Sequence, residues 1–437
     1  MYTEAMKHRF VERVLVGILL VVAAGIVVHA PLTVWLGTVW PHWDEVVKAW
    51  KEILTAIALV LLVIAAMRQK KFNMLMQDRL LQLALIYAGL HFVMIGMLNT
   101  NLHQAGAGIL IDLRYVLYFV VAYGTLRLYP QYRRLFIHVF VWGAAVVIGF
   151  GLLQIFFLPK DILAHIGYSK TTIAPYLTID KNQGYVRINS TLRGPNPLGA
   201  YAMSVLTMLL AYVLRYSRKL QSMQLLWLAL GAIAAALVLG ASYSRSADIA
   251  LIVAVLAMFV VAVRQKARKW LIVVVAAIII VVGIGLYAFR DTHFVSNVVL
   301  HINPSGGSSV NSNEGHAESL IDGVRRFAVQ PLGGGVGSTG SASLDTKDAL
   351  IIENQYLFIA HEVGWAGLAL FLWLFGSVMT RLWQRRASAF ALGTFATGCG
   401  LAVIGLLLPV WTDDTVSIIW WGMAAVALAT GARAKRP

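Results

Sequence analysis

Apolar runs of about twenty residues recur along almost the whole chain, and few folds accommodate that spacing. A hydrocarbon core is ~30 Å thick and offers no water, so each backbone N–H and C=O crossing it must pair within the segment. A helix does this at ~1.5 Å rise per residue, which matches the length of the runs. Twelve segments fit, at about 12–36, 50–67, 79–98, 106–127, 135–158, 196–215, 221–243, 246–263, 270–289, 355–380, 388–411 and 416–432. Only 13% of residues are charged, against roughly 25% in soluble domains. The expected fold is therefore all-α: a polytopic membrane protein of about 12 transmembrane helices, with residues 1–437 forming one membrane domain.

The net charge of +16 would point to nucleic acid in a soluble chain. Here the basic residues are divided among many short loops, which excludes a nucleic-acid surface and reports orientation instead. Alternate junctions carry Arg68/Lys70/Lys71/Arg79, Arg127/Arg133/Arg134, Arg215/Arg218/Lys219, Arg264/Lys266/Arg268/Lys269, Arg381/Arg385/Arg386 and Arg433/Lys435/Arg436. With twelve segments these fall on one side, which is cytoplasmic by the positive-inside bias, and both termini lie there. Lys7, Arg9 and Arg13 precede an apolar run that reaches Leu36 without a small-residue cleavage site, so an uncleaved first helix in the cytoplasmic (inner) membrane is expected. The lone cysteine, Cys399, rules out a disulfide framework within the chain.

The opposite side carries two long loops, about 159–195 and 290–354, and function concentrates on long loops held by a rigid scaffold. The first contains Arg187, Arg193 and the stretch Gly194-Pro195-Asn196-Pro197, where Asn196 is expected to cap a helix whose first-turn N–H groups face an anion. Ser244-Arg245 sits at a tight junction, with Asp248 one turn on, placed to pair with the arginine or leave it to an anionic head group. In the second loop, Asn303-Pro304-Ser305-Gly306-Gly307-Ser308-Ser309 reads as flexible. Glu318–Ala328 has helical spacing, with Leu320, Val324 and Phe327 on one side and Arg325 and Arg326 pointing apart. Gly335, Gly337 and Gly340 match G-x-G-x-x-G, but no parallel-sheet pattern surrounds them, so they are read as glycines for close backbone approach. His316 and His361 read as exposed or structural histidines, and His361-Glu362 lacks the second histidine of a zinc helix, so no metal site is expected. Glu353-Asn354, where the long loop returns to an apolar helix, puts a carboxylate and an amide at a membrane boundary, where ionisable groups usually have a use.

Arg187 through Gly199, Ser244-Arg245, Arg325 with Pro331-Leu332 and Gly335-Val336-Gly337, and Asn354-Gln355-Tyr356-Leu357 with Glu362-x-Gly364 and Gly367 together resemble the O-antigen ligase and polysaccharide polymerase superfamily of membrane glycosyltransferases. The resemblance spans roughly residues 185–370. It implies transfer of a glycan from a polyprenyl (undecaprenyl) diphosphate carrier to an acceptor hydroxyl on a glycan, lipid A core or protein, at the external face. Membrane lipids are implied as partners, without a cofactor. On that reading Arg187, Arg193, Arg245 and Arg325 bind the diphosphate, Glu353 is the general base, and Asn354 orients it or the sugar. Ligases of the family usually carry histidine where this chain has Glu353, which leaves polymerase chemistry equally open. The rival class is a twelve-helix secondary transporter. Such proteins hold polar sites near the midplane in repeated halves, and here Asp112-Leu113-Arg114 is the main charged group within a span, without a matching repeat. It is read as an internal ion pair or a deeper part of the carrier groove.

Overall fold

The apolar runs that fall within the described residues fold as helices, as their length requires. The structure, a computed structural model, describes residues 2–98, 101–179, 182–262, 284–285, 287–292, 295–300, 312–344 and 349–429. In order, the main helices are α1 (Tyr2–Gly25), α2 (His29–Val39), α3 (Trp50–Arg68), α4 (Arg79–Leu98), α5 (Leu102–Leu128), α6 (Arg133–Phe156), α7 (Pro195–Tyr216), α8 (Ser222–Ser242), α9 (Arg245–Ala262), α10 (Ser312–Val329), α11 (Gln355–Gln384), α12 (Ala389–Ile404) and α13 (Asp414–Leu428). Among the described residues, eight helical stretches are long and apolar enough to cross a membrane, while α12 and α13 are shorter apolar helices. The protein is thus a mostly helical, multi-pass membrane protein. Most of the segment expected at 270–289 lies outside the described residues, as do the basic clusters at 264–269 and 433–436 and the glycine–serine stretch 303–309.

Two local departures from the expected helices matter for the site. The first span breaks at a 3-10 turn, Ile26–Val28, between α1 and α2. A break frees carbonyls that lipid cannot satisfy, so protein must supply donors. The Thr191 hydroxyl donates to the Val27 carbonyl at 2.6 Å, and Thr415 donates to Ile26 at 3.0 Å. The first long loop and the start of α13 are thereby fastened to the broken helix. That loop also holds a two-stranded antiparallel ladder, β1 (Leu177–Ile179) and β2 (Asn182–Arg187), pairing Leu177 with Arg187. No strand was expected there. The signal was short: the β-favouring pair Tyr185-Val186 runs on to Ile188 beside Gly184, within a stretch otherwise full of turn residues.

α13 forms the centre of the bundle. Every residue from Asp414 to Leu428 is buried, so other helices rather than lipid surround it. It packs along α5, and its Trp420 and Trp421 join Tyr115, Phe119, Phe375 and Trp411 in an aromatic cluster with ring centroids 5.1–6.5 Å apart. Tilted and edge-on aromatic pairs contribute about 0.5–1.5 kcal/mol each beyond area burial. Because lipid tails are as apolar as leucine, such contacts rather than hydrophobic exclusion hold membrane helices together.

The basic junctions collect at one end of this bundle. Asp78 accepts from Arg127 at 2.6 Å and lies 3.4 Å from Arg381, tying the α3–α4, α5–α6 and α11–α12 junctions together. Arg133 and Arg385 donate to the Val426 and Ala427 carbonyls at the end of α13, and Arg215 donates to Arg386. The long loops and the start of α13 lie at the other end.

Candidate functional site

At that second end, three stretches of chain enclose a cavity of about 390 Å³. Arg193-Gly194-Pro195-Asn196-Pro197 lines it from the first loop, Gly340-Ser341 and Ile351-Ile352 from the second, and Pro409, Val410, Thr412 and Asp413 from the turn before α13. Arg193 and Asp413 bring opposite charges to it. The Asp413 carboxylate caps α13 through the Val416 N–H at 2.9 Å. Burial pushes this carboxyl up to about 6, the adjacent Asp414 charge adds to the effect, and Arg193 and Arg114 pull against it.

The start of α7 corrects one expectation. Its N-cap is Gly194, without a side-chain cap, and Asn196 stands inside the first turn. The Asn196 side chain instead accepts from Arg187 Nη2 at 2.6 Å, while Arg187 Nε donates to the Ser242 carbonyl at 2.9 Å. Pro195 and Pro197 carry no N–H, and Leu198 N–H is bonded back to Gly194 at 3.2 Å, so the helix offers an anion few backbone donors. Positive charge at this corner comes from the arginine side chains. Arg187 clasps the first loop onto the α8–α9 junction, beside half-buried Arg245, which opens α9. Gly199 packs against Ser244, close enough that a Cβ would stand 2.6 Å from it.

The second loop is held by an interlock that sequence reasoning divided into separate motifs. α11 loses helical geometry at Val363 and Gly364, the latter at φ 70°. The turn Pro331–Gly335 docks into this break: Gly334 N–H donates to the His361 carbonyl at 2.6 Å and Trp365 N–H to the Pro331 carbonyl at 2.9 Å. An added Cβ on Gly364 would lie 2.5 Å from the Pro331 oxygen. The buried Glu362 carboxylate accepts from the backbone N–H groups of Gly337 and Thr339 and shares a hydrogen bond with Asp112. Gly337 in turn touches Gly108 of α5, and its carbonyl accepts from Gln104 at 2.8 Å. The glycines of 335–340 thus permit backbone-to-backbone approach. Gly364→Ala is expected to cost about 1–3 kcal/mol, because the backbone there is open essentially to glycine alone. Thermal unfolding of the purified variant in detergent checks this.

Glu353 and Asn354 diverge in environment. Asn354 caps α11, its Oδ1 accepting from Tyr356 and Leu357 N–H at 2.9 and 3.0 Å while its Nδ2 donates to the Leu406 carbonyl at 2.8 Å. Its Oδ1 holds the helix start, and its Nδ2 ties that start to Leu406, just past the end of α12. Glu353 keeps its carboxylate outward: its own N–H is fixed by Ser319 Oγ at 2.9 Å, and the carboxylate meets His316 Nδ1 from α10. These two side chains, with Gly315, Ser319 and Ile351, line a second cavity that adjoins the first through Ile351.

Arg325 is the site residue the structure leaves furthest out. It is exposed on α10, and neither cavity is lined by it, whereas Arg326 pairs with Asp322 at 2.7 Å. The expected apolar side of α10 also turns out differently: Leu320 and Val324 are exposed, and Gly323 is the contact surface, seated on Leu357 and Ile352. Asp112 and Arg114, read as a possible ion pair, face apart, as residues two apart on a helix do. Asp112 turns toward Glu362, with His91 at 3.9 Å. Arg114 meets Asp414 and the Thr412 carbonyl at 3.1 Å, next to Lys51 and His29, which reach Asp414 at 3.0 and 2.9 Å. Sequence reasoning missed this five-residue network, completed by Glu52. Among the described residues no group of three or more His, Cys, Asp or Glu side chains is placed to hold a metal ion.

No curated protein matches this chain. A family model does match, over residues 230–372, a span that includes Arg245, Arg325, Glu353, Asn354 and Glu362 and begins after Arg187 and Arg193. That model is described as O-antigen ligase, so over residues 230–372 the chain is similar to that family, and its helix content is that of a multi-pass membrane protein.

Proposed function

We propose that this protein transfers a glycan from a polyprenyl diphosphate carrier to an acceptor hydroxyl at the external face of the cytoplasmic membrane, within a single domain of about twelve spans with both termini inside. The observation that carries this reading is the shared cavity: Arg193 enters it from one long loop, and the segment leading into Glu353 enters it from the other. The gathering of basic junctions at the opposite end supports the orientation, since that end is the one retained in the cytoplasm.

The chemistry needs no ATP, because the glycosyl bond to diphosphate already carries the free energy. Arginine suits the leaving group, since its planar fork stays charged and matches phosphate oxygens. Arg193 and Arg245 hold the diphosphate and stabilise charge as it departs. Arg187 keeps their loop in place, and Arg325 meets the donor at the membrane surface. Asn354 sets the start of α11, and Glu353 is the basic centre through which the acceptor is deprotonated. General-base assistance contributes typically about 10²–10⁴-fold.

Glu353→Gln tests this reading. Transfer in membranes carrying the natural donor and acceptor is expected to vanish while binding of polyprenyl diphosphate persists, and full activity would sink the assignment. Arg193→Ala is expected to weaken polyprenyl diphosphate binding about tenfold to a hundredfold, the loss of one charge-assisted contact of roughly 1.5–3 kcal/mol. Arg193→Lys keeps the charge without the fork and should fall between; a titration by ligand-induced thermal shift reads both. Gel analysis of surface glycans after gene deletion separates the two chemistries of this class: a missing glycan on lipid A or protein marks ligation, and single-repeat glycans mark polymerisation.

A further inference from the structure

We propose that His316 is the catalytic base and that Glu353 acts behind it, so that an imidazole–carboxylate dyad assembled from two separate elements does the proton chemistry. This rests on the function proposed above and changes one step within it.

The two residues are 37 positions apart in the sequence, and each is pinned by its own element. Ser319, three residues after His316 on α10, accepts the Glu353 N–H and donates to the Ile351 carbonyl at 3.0 Å. One hydroxyl therefore sets the distance between the helix and the segment Ile351–Glu353. Gly323, one turn further on, lets α10 sit directly on Ile352 and Leu357. In that arrangement His316 Nδ1 meets the Glu353 carboxylate.

The choice of nitrogen is the informative part. Nδ1 lies against the carboxylate as an ion-pair contact, so Nε2 is the ring atom turned away from it, and a carboxylate beside Nδ1 favours the proton there and supports the imidazolium once formed. Their side chains are 42% and 31% exposed, enough for a hydroxyl to reach the imidazole from the cavity they share. Among the described residues lining that cavity, Glu353 is the only charged partner beside the ring. Ile351 separates it from the cavity that holds Arg193, which puts the dyad next to the proposed diphosphate site.

The step balances as follows. Nε2 takes the acceptor O–H proton as the acceptor oxygen forms its bond to the anomeric carbon. The bond from that carbon to the diphosphate oxygen breaks, and its electron pair stays on the diphosphate. The imidazolium then returns its proton to water.

The test uses the full-length protein in membranes that carry its own lipid-linked glycan and acceptor, and purified protein for binding of polyprenyl diphosphate. His316→Gly is expected to lower transfer about 10²–10⁴-fold with polyprenyl diphosphate binding unchanged, and added imidazole should restore part of the rate. Glu353→Asp should retain more transfer than Glu353→Gln, as a positioning carboxylate predicts. Near-normal transfer by His316→Gly alongside an inactive Glu353→Gln overturns the dyad and leaves Glu353 as the base. A loss in His316→Gly that imidazole does not relieve, or that comes with lost polyprenyl diphosphate binding, marks a structural histidine and also overturns it. A fully active Glu353→Gln removes the underlying reading as well.

Discussion

Replacing Asp414 with alanine is expected to cost roughly 3–5 kcal/mol of folded stability, the range for removing one member of a buried ion pair. The carboxylate meets Arg114, Lys51 at 3.0 Å and His29 at 2.9 Å, and its side chain is 11% exposed. Without it, Glu52, 3.8 Å from Arg114 and 3.2 Å from Lys51, is the ion-pair partner left to both among the described residues. The cost of an uncompensated buried charge exceeds what the pair contributes when intact, so the deletion is far more damaging than a count of bonds implies. Because Asp414 opens α13 next to Thr412 and Asp413, the variant should also lose transfer by letting that wall of the cavity shift. Thermal unfolding in detergent measures the first effect, and a change below about 1 kcal/mol, the range of exposed ion pairs, would show that water reaches the cluster.

Glu362→Ala is expected to be the second severe substitution. Its two carboxylate oxygens accept the N–H groups of Gly337 and Thr339 inside the protein. Alanine leaves both donors buried and unpaired, at about 1–3 kcal/mol each. The affected turn leads directly into Gly340 and Ser341 of the cavity wall, so the loss should appear in transfer as well as in unfolding temperature. Glu362→Gln retains one accepting oxygen and should fall between alanine and the native residue. A Glu362→Ala variant with native stability and activity would mean that another group anchors the 337–340 turn.

These two residues show how unevenly the site was legible. Glu362 belongs to a motif visible in the sequence, the Glu-x-Gly of the apolar helix, but its role as anchor for a turn 25 residues earlier was not. Motif spacing reports which residues recur together along the chain, whereas a carboxylate's acceptors are satisfied by whichever backbone folds over it. His316 is the opposite case. It belongs to no motif, and only the placement of α10 on Ile352 brings it to Glu353. Asn196 and Asn354 exchanged expectations for a simple reason. Both precede or enter a helix, but Gly194 took the cap position of α7, leaving Asn196 to Arg187, while Asn354 became a true cap.

From the sequence alone came the class of protein, the membrane-length helices among the described residues and the grouping of the described basic junctions, because each follows from a local requirement. Backbone polar groups in lipid must pair within their own segment, and lysines and arginines stay on one side one loop at a time. The family resemblance, borne out over residues 230–372, likewise rests on short contiguous motifs. Tertiary structure decided the break in the first span, the central position of α13, the buried network around Asp414, and which polar groups share a cavity. Those depend on contacts between residues as far apart as His29 and Asp414. Nothing in a linear pattern specifies them, because a buried charge takes its partner from whichever chain packs against it.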